Sequence, residues 1–221
     1  MEEKTKTKKI NSAIFDGEVK IVEVETTFIK SLPGFSIVGL ASSAVQESKE
    51  RIKAGLLNNG FDFPPLKIVT NLSPANLPKK STALDLPIAL TILLQNSDID
   101  LSEFLILGEL GLDGTIKKTN DMFAIVLGSG FKKIIAPKTI GEKLAQIPDI
   151  EVYSFSNLSQ FFNLELTALK TPKLDYKFIE VNSKKYFYNT KFELDFKDVK
   201  GQQIAKRVAL ISASGMHNIL F

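Results

Sequence analysis

Apolar and polar positions alternate twice over in this chain, first with the period of strands and then with that of helices. In "SAIFDGEVKIVEVETTFI" apolar and polar residues alternate on either side of Asp16-Gly17, the pattern of a hairpin. "LPGFSIVGL" follows as a short apolar strand with a glycine at each end. In "SSAVQESKERIKAGLLNNG" the spacing changes to 3.6. Val45, Ile52 and Leu56 fall on one helix face, Ser43 and Gln46 form a capping box, and Asn58-Asn59-Gly60 ends the helix. "LKIVTNL" reads as a buried strand. "SPANLPKKST" is a loop, and "ALDLPIALTILLQN" is apolar on nearly every side, which predicts a buried helix with Pro87 tolerated near its start.

"FLILGELGLDGTIKK" reads as a second hairpin that turns at Asp113-Gly114. A helix over "NDMFAIVLGSGF" with Asn120 or Asp121 as N-cap comes next. A strand "KKIIAP", a short helix "TIGEKLAQI", a strand "EVYSF" and a last helix "NLSQFFNLE" complete the series. The prediction is an α/β (α+β) domain over residues 10–165, behind a flexible basic tail over 1–9. Residues 166–191, rich in Lys, Thr and Tyr, hold no sustained period and read as a linker or extended arm. A new unit opens at 192. In it Lys200-Gly201 lead into a helix with Ile204, Val208 and Ile211 on one face, Gly215 ends the helix, and Ile219-Leu220-Phe221 start a strand.

Composition narrows the function classes. With 44% apolar and 24% charged residues the chain suits a globular protein, and no apolar run approaches the length of a membrane span. The N-terminus "MEEKTKTKKI" lacks the apolar core of a secretory signal, so a cytoplasmic location is expected. The absence of cysteine removes disulfides, thiolate zinc sites and thiol nucleophiles. Residues 1–165 carry 18 basic and 20 acidic side chains and residues 166–221 carry 10 and 5, so the modest positive excess lies in the C-terminal quarter. That excess contains no Arg cluster, and a solvated surface accounts for it more simply than a nucleic-acid patch.

Candidate chemistry is sparse. Gly108, Gly111 and Gly114 fit hairpin turns, not a dinucleotide fingerprint, and G-x-x-x-x-G-K does not occur. His217, the single histidine, has no second His or Cys with which to share a metal and fits a turn. A Ser–Lys dyad needs a serine at a helix start beside a desolvated lysine. Ser81 stands at a helix start, where its simpler role is N-cap, and the pairs Lys117-Lys118 and Lys132-Lys133 look like exposed turns.

The phrases "LPGFSIVGL", "NLSPANLPKK" and "DLPIAL", followed by "GELGLDGTIKK" and "GFKKIIAP", resemble the N-terminal domain of Mg-chelatase-like proteins of the ComM/YifB competence-helicase type. The resemblance covers nearly the whole chain except the linker. It implies a ribosomal-protein-S5-like fold, similar to the proteolytic domain of Lon. It places Ala83 where Lon-type proteases carry serine and Phe123 where they carry lysine, so it implies the fold without peptidase activity. "DVKGQQIAKRVALISASGMHNILF" is similar to the entry of an AAA+ ATPase module, in which Val199, Gly201 and Gln202 would lie on the adenine side. The chain stops before a phosphate loop.

Full-length relatives of this type are implied to be ring-forming, ATP-dependent DNA motors that act in branch migration, recombination and natural transformation, with ATP and Mg²⁺ as cofactors. For this chain alone no cofactor, no metal, no membrane and no ATP hydrolysis are expected. The N-terminal domain would assist homo-oligomer formation and face DNA, with Lys79 and Lys80 as candidate phosphate contacts and Lys4, Lys6, Lys8 and Lys9 on a mobile tail. The competing readings are a residual Lon-type serine peptidase that uses Ser81 and a truncated gene product. In the last case Leu194, Val208, Ile211 and Leu220 would lack partners.

Overall fold

The structure is a computed structural model that describes residues 7–162, 166–170, 177–188, 194–215 and 217–219, without the side chains of 185 and 187. It divides into two compact units, Met1–Pro172 and Lys173–Phe221. Lys4, Lys6 and Leu220 lie outside the described residues.

In the first unit β1 (Lys8–Phe15) and β2 (Val19–Ile29) form the expected hairpin around Gly17. β3 (Gly34–Val38), α1 (Ser43–Asn58) and β4 (Lys67–Ser73) form a parallel crossover unit. A turn of 3₁₀ helix (Thr82–Leu84) leads into α2 (Asp85–Leu93), followed by β5 (Phe104–Ile106), β6 (Glu109–Leu110) and β7 (Ile116–Lys117). Then come α3 (Met122–Ser129), β8 (Lys133–Pro137), α4 (Lys138–Leu144), β9 (Glu151–Phe155) and a 3₁₀ turn (Leu158–Phe161). The main sheet has seven strands in the order β3-β4-β2-β1-β5-β8-β9, and β6 and β7 form a separate small hairpin. The architecture is mixed α/β, with the pairs β3/β4, β1/β5, β5/β8 and β8/β9 parallel and β1/β2 and β2/β4 antiparallel.

Burial explains why the strands look different in sequence. Strands covered on both faces need a continuous apolar run, and strands covered on one face alternate. At the parallel end Ile106 and Ile135 join the core built with α1 and α2, while Leu105, Ile134, Ala136 and Val152 join the core built with α3 and α4. β2 has its even positions Val22, Val24, Thr26 and Phe28 buried, and Glu23, Glu25 and Thr27 between them are only partly covered. Across this core Thr26 links to Thr70 at 2.8 Å and to Thr91 at 2.7 Å, so the buried hydroxyls satisfy one another.

Several expectations shift by local physics. The N-cap of α1 is Ser42, one residue before the expected Ser43, and its hydroxyl accepts from the Val45 amide at 3.5 Å. Gln46 donates instead to the Ile37 carbonyl at 2.9 Å, so no capping box forms. The expected second hairpin is confined to β6 and β7, because "FLI" pairs with β1 and β8 in the main sheet. Lys8 and Lys9 are not tail residues: both pair in β1, and Lys9 Nζ donates to Glu23 at 3.1 Å. "NLSQFFNLE" contributes a 3₁₀ turn, with residues 163–165 outside the described set. Beyond it the Leu169 amide donates to the Val152 carbonyl at 2.7 Å, so the sheet edge at β9 has a partner.

In the second unit β10 (Lys177–Val181) and β11 (Lys184–Tyr188) form an antiparallel hairpin within the span read as linker. A 3₁₀ turn (Phe196–Asp198) and α5 (Gln203–Gly215) follow, the latter where the sequence predicts it. Leu194 before the 3₁₀ turn is 87% exposed, and Val208 and Ile211 on α5 are 43% and 55% exposed.

Gly39 has a positive φ of 99°, and a Cβ there would overlap the Leu72 carbonyl oxygen. We expect Gly39→Ala to destabilise the domain by about 2 kcal/mol or more, from left-handed strain plus displaced backbone. Urea unfolding followed by circular dichroism measures this, and an unchanged midpoint would refute the close approach.

Candidate functional site

Parallel α/β sheets usually place ligands beyond the carboxyl ends of their strands. At the ends of β3 and β4 the chain is knotted tightly by its own backbone. Gly39 and Leu40 both take positive φ, the Ser42 amide donates to the Lys79 carbonyl at 3.0 Å, and the Lys79 amide donates to Leu40 at 3.1 Å. Lys79 is fully buried, and its ammonium donates to the Gly39 carbonyl at 2.8 Å and to the Pro74 carbonyl. Burial holds its pKa below the ordinary lysine value. Lys79 is therefore a clamp between two loops, and its ammonium is not presented to a DNA phosphate as the sequence reading expects. Lys80, next to it, is exposed.

A second polar cluster joins α1, α2 and β6. Asp85 is wholly buried at the start of α2. Its carboxylate accepts from Arg51 Nε at 2.8 Å, from Arg51 Nη2 at 3.2 Å, from the Leu110 amide at 3.2 Å and from Ser48 Oγ. Ser48 and Arg51 lie three residues apart on one helix face and also bond each other at 2.8 Å. Burial pushes the Asp85 carboxyl up, opposed by the donors of Arg51, Ser48 and Leu110. Because every partner is a donor, the arrangement fits the ionised carboxylate. The hydrogen bond to Asp85 raises Arg51. Beside this group Thr82 Oγ1 donates to Glu109. Both Asp85 oxygens are taken up by these donors, and the cluster holds elements together. Its one sequence signal is a single carboxylate in the otherwise apolar "ALDLPIAL".

The positions compared with a Ser–Lys dyad hold no such chemistry. Ala83 is fully buried in the apolar cluster that includes Leu105 and Met122, and Phe123 packs against the same cluster. The Lys143 ammonium lies 5.0 Å from the Phe123 ring centroid, a cation–π distance. Ser81 Oγ accepts from the Ala83 amide at 3.2 Å, the N-cap role read from sequence.

In the second unit Gly201 and Gln202 both take positive φ at the entry to α5, and the Val199 carbonyl accepts from Lys206 Nζ. All three candidate adenine-side residues, Val199, Gly201 and Gln202, are exposed. The His217 amide donates to the Ser212 carbonyl at 2.9 Å, a turn after the helix. No group of acids or histidine that could hold a metal ion occurs among the described residues, and the sequence has no lysine-bearing phosphate loop.

The family model described as "Subunit ChlI of Mg-chelatase" matches residues 22–140, more than half of the chain. The chain belongs to this family. Among relatives, this ChlI-type chain is 32% identical over 213 residues to the "Competence protein ComM" of Haemophilus influenzae. It is 30% identical over 207 residues to YifB of Escherichia coli and 28% over 211 residues to Rv2897c of Mycobacterium tuberculosis. These matches take in 92%, 90% and 93% of this chain and 40%, 39% and 40% of the relatives. The chain therefore spans about two fifths of the length of the curated relatives it matches. No helix among the described residues is long and apolar enough to cross a membrane.

Two expectations follow for the ChlI-type domain. Asp85→Ala leaves Arg51 without its carboxylate and should cost about 3 kcal/mol, the lower end for a broken buried pair because Arg51 still reaches water. Chemical denaturation measures it, and a loss below 1 kcal/mol (roughly the worth of a surface pair) would show the cluster to be dispensable. For Lys79 the folded pKa is depressed, so as pH rises through it the unfolded chain retains a proton that the folded chain has released. Between that value and about 10.4, stability from this group rises with pH. The stability difference between the unsubstituted chain and Lys79→Met should thus move in favour of lysine from neutral pH towards pH 10. A flat or opposite trend in paired urea titrations would contradict the buried ammonium.

Proposed function

We propose that this ChlI-type chain is the N-terminal, non-catalytic part of a Mg-chelatase-like AAA+ ATPase that moves DNA junctions during recombination and uptake of DNA. The observation that carries this reading is the ChlI match over residues 22–140, in a sequence that lacks the G-x-x-x-x-G-K segment. Phosphate binding by that segment uses backbone N–H groups, a lysine charge and a hydroxyl on Mg²⁺, and hydrolysis further needs an acid and an arginine finger. ATP and Mg²⁺ thus belong to the longer protein, together with assembly into a ring. The relative named a competence protein supports a role with DNA. The Lon-like ancestry of the first domain is part of the same reading: Ala83 and Phe123 fill the positions of nucleophile and base with apolar side chains, which leaves a scaffold. Lys80, exposed where Lys79 is not, is the phosphate contact that remains of the two.

The purified chain, mixed with ATP, Mg²⁺ and a four-way DNA junction, should release no phosphate above the protein-free blank yet retard the junction at low salt. Lys80→Glu should weaken that retardation and lower the salt slope by about one unit. Phosphate release by the chain alone would overturn the non-catalytic assignment, and a junction bound identically by Lys80→Glu would remove Lys80 from the interface.

A further inference from the structure

The hairpin of β10 and β11 carries a side-chain pattern that the functions above do not use. Its two-residue turn, Asn182-Ser183, has φ of 51° and 61°, the left-handed pair of a type I′ turn. The register sets Lys177 opposite Tyr188, Ile179 opposite Tyr186 and Val181 opposite Lys184. Side chains alternate across a strand, so these six share one face, and Glu180 belongs to the other. On that face Ile179 is 55% exposed, Tyr186 52% and Tyr188 44%, and both lysines are exposed. A two-stranded ribbon is only marginally stable without cover, so a face of this composition invites an occupant.

We propose that this face binds single-stranded DNA, with Tyr186 and Tyr188 as stacking platforms for bases and Lys177 and Lys184 as phosphate contacts at the two ends. Charge complementarity selects the occupant. The face bears two cations and no anion, and the chain from 166 onwards carries 10 basic against 5 acidic residues. Spacing selects the strandedness. Tyrosines two residues apart on one strand stand about 6.8 Å apart, roughly twice the 3.4 Å rise of stacked bases, so neighbouring bases must unstack to meet both rings. A single strand does this readily and a duplex does not. Apart from the tyrosine hydroxyls, the face holds no acceptor that would read a ribose 2′-hydroxyl, so nothing on it demands RNA, and the DNA-facing reading makes DNA the occupant. This inference rests on the DNA-facing reading above for its choice of partner and adds a separate surface to it.

The test is fluorescence anisotropy of the full 221-residue chain with labelled oligo(dT) of about 15 nucleotides at about 50 mM salt. Tyr186→Ala/Tyr188→Ala should weaken binding about tenfold or more, and Tyr186→Phe/Tyr188→Phe should stay within about twofold, because stacking needs the ring and not the hydroxyl. Lys177→Gln/Lys184→Gln should lower the salt slope by about 1.4, the release of two counterions from a single strand. If the unsubstituted chain retards the four-way junction but does not bind oligo(dT), only this inference falls, and if it binds neither, the DNA-facing reading falls with it. If it binds and the alanine pair binds equally well, only the hairpin assignment falls. The assignment also falls if the phenylalanine pair loses as much as the alanine pair, or if a duplex or oligo(rU) of the same length binds more tightly. A change in sedimenting mass with the alanine pair would mark the face as a protein contact and overturn it equally.

Discussion

The carboxylate of Asp85 is the constraint around which the first domain is organised. A fully buried charge is tolerated only when donors surround it, and here the donors come from elements distant in sequence: Ser48 and Arg51 on α1 and the backbone of Leu110 on β6. Satisfying one side chain therefore fixes how α1 lies across α2 and where the β6–β7 hairpin begins. The apolar faces of both helices are permissive about rotation and sliding, since many packings bury similar area. A carboxylate with four directional donors is not. The cluster selects one packing from those the hydrophobic core would allow.

Lys79 serves the neighbouring end of the sheet in a similar way. Its ammonium reaches two carbonyls on separate loops and joins the exit of β3 to the turn after β4. Both features involve charges held inside the fold: Asp85 meets a backbone amide as well as side chains, and Lys79 meets backbone carbonyls. The ends of β3 and β4, where a ligand would be looked for, are in this way filled by the protein's own groups.

Much of the fold was legible because burial writes itself into spacing. The alternation in β2, the 3.6 spacing of Val45, Ile52 and Leu56, and the nearly all-apolar composition of α2 each point to the environment that the element occupies. What sequence concealed depended on partners far along the chain. "FLI" looked like half of a hairpin because its partners, β1 and β8, are not local. Lys79 looked like half of an exposed basic pair because nothing local announces the Gly39 and Pro74 carbonyls. The hairpin at Asn182-Ser183 was missed because left-handed turns are usually signalled by glycine. Asp85 left a visible clue, one acid in an apolar helix, but its arginine could not be named without the crossing of α1 over α2.

The hydrogen bond from the Leu169 amide to Val152 closes an edge of the sheet. In mechanical terms it is also an anchor. A load on the chain beyond residue 170 is taken up at Leu169 and passed sideways into β9 and β8, before it reaches the 3₁₀ turn at Leu158–Phe161. Strands of the main sheet, and not the domain's last short helix, would thus bear a pull applied to the chain beyond this point.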